Sequence, residues 1–167
     1  MVKVIFSDRA YAAIVAETDE MIETETGGVF LGCFENDNWY VIETIDPGLK
    51  SVFHEAYFEY DRDYTEHLIN KAARIYQADL TLIGHWHKHP CSHDEFSPTD
   101  DDTNSEYAKL SPNGAVLVLV NVDPDIRLTP YHVIWPLEYM KIAYEVGDDL
   151  IPKQLRALKM KESFYAQ

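Results

Sequence analysis

The segment Gly84–Asp102 constrains this chain more than any other, because four of the seven histidines fall within nine of its residues. The run Leu80–His87 is typical of a strand. Side chains alternate between the two faces of a strand, so His85, His87 and His89 are expected on one face. Imidazoles clustered in this way suit a borderline cation such as zinc. A solvated histidine-rich turn is the alternative interpretation of the cluster taken alone.

A helix start follows this cluster. Ser97 suits the N-cap position, Pro98 suits the first helical position, and the acidic residues after them favour the positive end of the helix dipole. Three acids in a row, Asp100, Asp101 and Asp102, come next. Each helical step turns by ~100°, so only one of the three is expected to face the histidines.

The rest of the chain alternates predicted strands and helices in the order β-α-β-β-α-β-α-β-β-α, which predicts a mixed β-sheet flanked by helices, an α/β fold. No repeat, low-complexity tract or linker divides the chain, so we expect a single domain over residues 1–167. The other predicted strands are Val2–Phe6, Val29–Phe34, Trp39–Ile45, Ala115–Asn121 and Leu128–Trp135. The other predicted helices are one capped by Ser7 or Asp8 and running to about Glu23, then Asp61–Gln77 and Leu150–Phe164.

Composition excludes several classes of protein. Of the 167 residues, 46% are hydrophobic, which supports a packed core and excludes a mainly disordered chain. The formal net charge of −15 disfavours nucleic acid and anionic membranes as partners. No apolar run approaches the ~18 residues that a spanning helix needs, and the start is unlike a signal peptide. Two cysteines, Cys33 and Cys91, are too few for a disulfide framework, and we expect a cytoplasmic protein.

The spacing of the polar residues resembles a known signature. One residue separates His87 from His89, seven residues separate His89 from Ser97, and two residues separate Ser97 from Asp100. This resembles the JAMM (MPN+) zinc metalloprotease signature, H-x-H-x7-S-x2-D, at every defined position. That family also has a glutamate upstream of an apolar strand, and Glu25-Thr-Gly-Gly-Val-Phe-Leu-Gly is similar to that segment as written in the compact bacterial members. The resemblance covers about residues 1–136, and the predicted terminal helix carries no signature.

The resemblance implies a cytidine-deaminase-like JAMM/MPN fold with one catalytic zinc. His87, His89 and Asp100 would be the metal ligands, with water in the fourth position. Glu25 would accept the proton of that water and pass it to the leaving amine. Ser97 would donate a hydrogen bond to the oxyanion. The implied activity is that of a zinc metallohydrolase.

On the residues alone each role has an alternative. Glu25 lies in an acid-rich stretch and is otherwise a surface acid, and Ser97 is otherwise only a helix N-cap. His85 shares the face of the ligands but lies outside the signature, so we expect it to be packed or to orient a ligand. Cys91 is expected to be a soft buried side chain rather than a ligand. His93 is expected at the rim of the site.

The resemblance also implies a substrate class. Related enzymes cleave after the C-terminal tail of a ubiquitin-like protein, as isopeptidases or as processing peptidases, alongside conjugation proteins of the E1 and E2 kind. Processing of a sulfur-carrier protein is a neighbouring alternative. A non-catalytic MPN-type scaffold is the alternative from another class, and metal content would separate the two. A DNA-associated relative is a third, which the negative charge disfavours.

Overall fold

The computed structural model describes residues 1–54, 57–90 and 93–160. Within them, ten strands and four helices are formed, together with a 3-10 turn at Asp148–Leu150. The strands are β1 (Lys3–Phe6), β2 (Thr26–Glu35), β3 (Asn38–Ile45), β4 (Val52–His54), β5 (Tyr57–Glu59), β6 (Thr81–His89), β7 (Ala115–Asn121), β8 (Arg127–Ile134), β9 (Glu138–Lys141) and β10 (Ala143–Val146). The helices are α1 (Asp8–Glu20), α2 (Arg62–Ala73), α3 (Pro98–Tyr107) and α4 (Lys153–Arg156).

Eight of these strands form one mixed sheet in the order β10-β1-β3-β2-β6-β7-β8-β9, and β4 and β5 form a separate hairpin. β6 is central, antiparallel to β2 and parallel to β7. The two outer strands, β9 and β10, are separated only by Ile142, whose N–H donates to the Pro130 carbonyl at 3.0 Å. The segment 138–146 therefore supplies both edge strands of the sheet. Since these two edges are adjacent in sequence, the sheet curves almost into a barrel.

The helices cover this sheet on two faces. Ala10 and Ile14 of α1 are fully buried in one apolar cluster with Phe30, Trp39 and Trp86. α2 and α3 lie against the opposite face of the sheet, in apolar clusters that include Leu31 and Leu117. The predicted α/β class, a mixed sheet flanked by helices, is confirmed. None of the helices in the described ranges is long and apolar enough to span a membrane.

The glycine pair before the second predicted strand belongs to that strand. The second strand was predicted to begin at Val29, but β2 begins at Thr26 and both Gly27 and Gly28 pair with β6. The sheet needs glycine here, since a Cβ at position 28 would lie 2.5 Å from the carbonyl oxygen of Ile45. As a result, Glu25 immediately precedes a strand that is hydrogen-bonded to β6.

The predicted terminal helix Leu150–Phe164 is wrong over its described part. Only α4 is α-helical there, after a 3-10 turn that ends at Leu150. The chain beyond α4 instead pairs with the end of the α2 region, where Gln77 N–H donates to the Ala157 carbonyl at 2.8 Å and Lys159 N–H to the Ile75 carbonyl at 2.8 Å. Backbone groups used in this way cannot form the i to i−4 bonds of a helix. Residues 161–164 lie outside the described residues.

Candidate metal centre

The histidine cluster lies at the carboxyl end of β6. His85, His87 and His89 are all buried, with 8%, 6% and 7% of their surface exposed. The rings of His85 and His87 stack at 5.8 Å between centroids, and those of His87 and His89 lie 4.8 Å apart. The predicted sharing of one strand face is therefore confirmed. On that face, β2 presents Gly27 opposite His87, so no side chain from this position covers the imidazole.

Asp100 of α3 converges on two of these rings. The Nε2 atoms of His87 and His89 are 3.0 Å apart. Oδ1 of Asp100 lies 3.4 Å from Nε2 of His87, and Oδ2 lies 3.6 Å from Nε2 of His89. Among the described residues, this is the group of His, Cys, Asp and Glu side chains whose ligand atoms meet closely enough to hold a metal ion.

These separations fit a metal ion. Tetrahedral zinc with bonds of ~2.0–2.1 Å places its ligand atoms about 3.3 Å from one another, and the three observed distances surround that value. Nδ1 of His89 lies 3.3 Å from the carbonyl oxygen of His93. A proton held on Nδ1 by that carbonyl leaves Nε2 free as a ligand, which is how outer partners fix the tautomer of metal-binding histidines.

Asp100 is held in its ionised form, as a metal-binding carboxylate must be. Burial alone would raise its pKa, but the neighbouring imidazoles of His87 and His89 hold the pKa well below its usual range. The same contacts raise the pKa of His89 against the opposing effect of burial. The three groups therefore form a strongly coupled polar cluster in an otherwise apolar part of the sheet.

Ser97 and Asp100 form a capping box at the start of α3. The N–H of Asp100 donates to Oγ of Ser97 at 3.2 Å, and the N–H of Ser97 donates to Oδ2 of Asp100 at 2.6 Å. The predicted N-cap is confirmed, and it orients the carboxylate toward the histidines. The hydroxyl proton of Ser97 is left available as a donor, since Oγ acts here as an acceptor. Its role toward an oxyanion stays a prediction.

Glu25 lies on the same cleft as the histidines. This cleft, of about 290 Å³, is lined by Glu25, His87 and Asp100 and also by Glu59, Tyr60 and Arg62, among other residues. Burial raises the pKa of the Glu25 carboxyl, while the two candidate histidine ligands act against that rise. A carboxyl group with a raised pKa beside a metal-binding cluster is suited to accept and return a proton.

The other acidic candidates are used elsewhere. Asp101 accepts a hydrogen bond from the hydroxyl of Tyr139 at 2.5 Å. Asp94 forms an ion pair with Arg127 at 2.8 Å. These contacts agree with the prediction that Asp100 alone of the three consecutive acids faces the histidines. Cys91 lies outside the described residues.

His85 supports the site without joining the triad. Its Nε2 lies 2.8 Å from Oδ1 of Asn104, whose amide donates to the hydroxyl of Tyr139 at 2.8 Å. Burial lowers the pKa of His85 to about 4, so the ring is neutral at pH 7. The ring of Phe96 packs 5.5 Å from His87 and 5.2 Å from Tyr139. Asn104 and Tyr139 could not be found from the sequence, because nothing in their spacing indicates that Asn104 contacts His85 or that Tyr139 contacts Asn104.

The site thus has the features of a metal-dependent hydrolase: two imidazoles and a carboxylate that can hold a metal, and a second carboxylate beside them. The family described as prokaryotic homologs of the JAB domain matches residues 7–133. The chain belongs to this family, and the predicted resemblance is confirmed.

Two further comparisons agree with this family. A protein of Sinorhizobium fredii named as a probable metalloprotease is 32% identical over 79 residues, 47% of this chain and 48% of that protein. The match therefore spans about half the length of that relative. A solution structure of a Desulfitobacterium hafniense protein has a TM-score of 0.61 at 12% identity, covering 86% of this chain and 92% of the other; it supports the fold alone. At the level of the family, these findings support a metal-dependent peptidase.

Proposed function

We propose that this protein is a zinc-dependent peptidase or isopeptidase that cleaves after the C-terminal tail of a ubiquitin-like protein. The observation that carries the proposal is the convergence of His87, His89 and Asp100 beside Glu25 on one cleft. A donor set of two imidazole nitrogens and one carboxylate is typical of catalytic zinc, which keeps a further position open. When bound, the metal would supply a Lewis acid that activates water and polarises the scissile carbonyl.

The residues around that position have separate tasks. Glu25 accepts the proton of the attacking water and donates it to the leaving amine, and burial raises the pKa of its carboxyl, which favours holding that proton between the two transfers. His87, His89 and Asp100 would hold the metal. The hydroxyl of Ser97 donates to the oxyanion that develops on the substrate carbonyl.

The β4–β5 hairpin borders the cleft through Glu59 and the following Tyr60. Among the described strands, β4 and β5 pair with each other and not with the eight-stranded sheet. The cleft therefore lies between two separate β-elements, and recognition of an extended main chain beside a β-element is a common mode of peptide binding. In this proposal the ubiquitin-like tail lies beside the hairpin, with its scissile peptide bond near His87, His89 and Asp100.

Two substrates test the proposal. One is a ubiquitin-like protein ending in Gly-Gly fused directly to a reporter, and the other is the same tail joined to a lysine side chain by an isopeptide bond. We expect the zinc-loaded protein to cleave after the second glycine, a chelator to abolish cleavage, and added zinc to restore it. Cleavage of the isopeptide alone indicates deconjugation. Cleavage of the linear fusion alone indicates precursor processing, the class that includes maturation of sulfur carriers.

A matched pair of variants ties cleavage to the site. Asp100→Asn replaces a ligand carboxylate by an amide of the same size, and we expect loss of both zinc and cleavage. Asp102→Asn makes the same change two residues along α3, at an exposed position, and should leave both unchanged. Tail binding without cleavage by the zinc-loaded wild type would contradict the proposal and favour the scaffold alternative.

A further inference from the structure

Lys88 lies between the two histidine ligands in sequence but projects from the opposite face of β6, because side chains alternate along a strand. It is completely buried, with 0% of its surface exposed. Lysine is almost never fully buried unless it is paired, since removing an ammonium from water is costly without acceptors. A specific interaction must therefore hold this side chain beneath the metal site.

The partners of Lys88 are backbone carbonyls at the end of α1. Its Nζ donates to the carbonyl oxygen of Met21 and, at 2.7 Å, to that of Ile22. Met21 is the C-cap of α1, where carbonyls have no partner within the helix. A positive charge at this position is also favoured by the helix dipole. Lys88 thus fastens the end of α1 to the strand that carries the histidines.

A second contact fastens the same region a few residues later. Thr26 pairs with Lys88 in the β2–β6 register, and its hydroxyl donates to Oε1 of Glu17 in α1 at 2.6 Å. The connection 21–25 between α1 and β2 is therefore held at both of its ends. Glu25 is the last residue of that connection, and its position in the cleft depends on where the connection lies.

We propose that Lys88 is a positioning residue for Glu25. By holding the carbonyls of Met21 and Ile22, its ammonium fixes the 21–25 connection and sets the Glu25 carboxylate against the cleft. The inference rests on the proposed function, in which Glu25 transfers a proton.

A double-mutant cycle tests whether Lys88 acts through Glu25. Lys88→Met keeps the length of the side chain and removes the ammonium. We expect kcat to fall roughly 10- to 30-fold, the scale of a slightly misplaced catalytic group, with KM and zinc content unchanged within about twofold. In a Glu25→Gln background the same substitution should change kcat by less than about twofold, because there is no proton acceptor left to misplace. Lys3→Met is the matched control at an exposed lysine paired with Glu145.

Hydrogen exchange provides a readout that needs no substrate. The N–H of Met21 donates to the Glu17 carbonyl at 3.1 Å, and we expect Lys88→Met to accelerate its exchange at least ~10-fold, while amides of the β6–β7 ladder keep their protection. Lys88→Gln retains N–H donors without enlarging the side chain, so its effects should lie between those of wild type and Lys88→Met. If Lys88→Met does not fold, Lys88→Gln replaces it in both the kinetic and the hydrogen-exchange measurements.

The outcomes separate the two proposals. Suppose that the wild type cleaves its substrates. If the reductions in kcat caused by Lys88→Met and Glu25→Gln then multiply in the double variant, or if hydrogen exchange of the Met21 amide does not change in Lys88→Met, the positioning role of Lys88 is overturned while the proposed function stands. If the zinc-loaded wild type cleaves neither substrate, the proposed function fails and the positioning role fails with it.

Discussion

The buried histidines at the end of β6 and the single buried histidine of β8 differ in what surrounds their ring nitrogens. At the end of β6, Nε2 of His87 and Nε2 of His89 point at each other and at Asp100. On β8, His132 is equally buried, at 6% exposed, but its Nε2 lies 2.7 Å from the Asn113 carbonyl oxygen and its ring packs against Trp39. The nitrogens of the first group converge on one point, whereas Nε2 of His132 lies against a backbone carbonyl and its ring packs in the core.

This difference shows that burial and residue type are not sufficient to define a metal centre. A metal site needs free nitrogens aimed at one position, a carboxylate nearby and an outer partner for the opposite nitrogen. His89 meets each of these conditions, with its Nδ1 near the His93 carbonyl. Nε2 of His132 instead forms a hydrogen bond with a backbone carbonyl oxygen. Substitutions in the two groups should therefore affect different properties of the protein.

The largest effect is expected from His89→Ala. Loss of one of three protein ligands should remove most of the zinc and reduce cleavage to background, while the fold survives because the site lies at the end of a completed sheet. Metal analysis and thermal melting of the same sample check both parts. Full zinc occupancy in this variant would remove His89 from the ligand set.

Glu25→Gln comes next and sharpens the assignment of roles within the site. The amide keeps the size of the side chain but cannot accept a proton, so kcat should fall by ~10²–10⁴ with zinc retained. Single-turnover kinetics with metal analysis measure both, and Glu23→Gln in the same connection is the control. Loss of zinc instead of turnover would make Glu25 a ligand, and an unchanged rate would exclude it as the base.

Ser97→Ala separates two roles of one hydroxyl. If Ser97 is also an oxyanion donor, its loss should lower kcat by ~10²–10³, and loss of the N-cap of α3 should cost about 1 kcal/mol of stability. We expect both losses, with zinc retained, because the capping bond observed uses only the acceptor capacity of Oγ. Kinetics and melting on the same variant distinguish them. A loss of stability with normal turnover would show that the hydroxyl only caps the helix.

His132→Ala is expected to leave activity unchanged. Removing a buried ring that packs on Trp39 and Phe34 should lower the free energy of unfolding by about 2 kcal/mol and leave zinc and kcat unchanged. Denaturant titration and kinetics check this. A loss of zinc comparable to that of His89→Ala would end the distinction between the two groups.

The sequence predicted the parts of this structure that depend on local pattern. The alternation of His85, His87 and His89 and the cap at Ser97 are set by a few neighbouring residues, so strand face and helix start could both be inferred. β9 and β10 could not, because short exposed strands take their structure from distant partners: Ala143 pairs with Lys3. The contacts of Lys88 could not be predicted for the same reason, since its acceptors, the carbonyls of Met21 and Ile22, follow α1 and are far from Lys88 in sequence.

The central claim is that His87, His89 and Asp100 hold one zinc ion. Crystals of the zinc-loaded protein, measured on both sides of the zinc absorption edge, test it most directly. The account predicts one anomalous peak per chain, ~2.0–2.1 Å from Nε2 of each histidine and at a similar distance from a carboxylate oxygen of Asp100. A peak bound elsewhere, or none at this triad despite zinc supplied throughout, would contradict it.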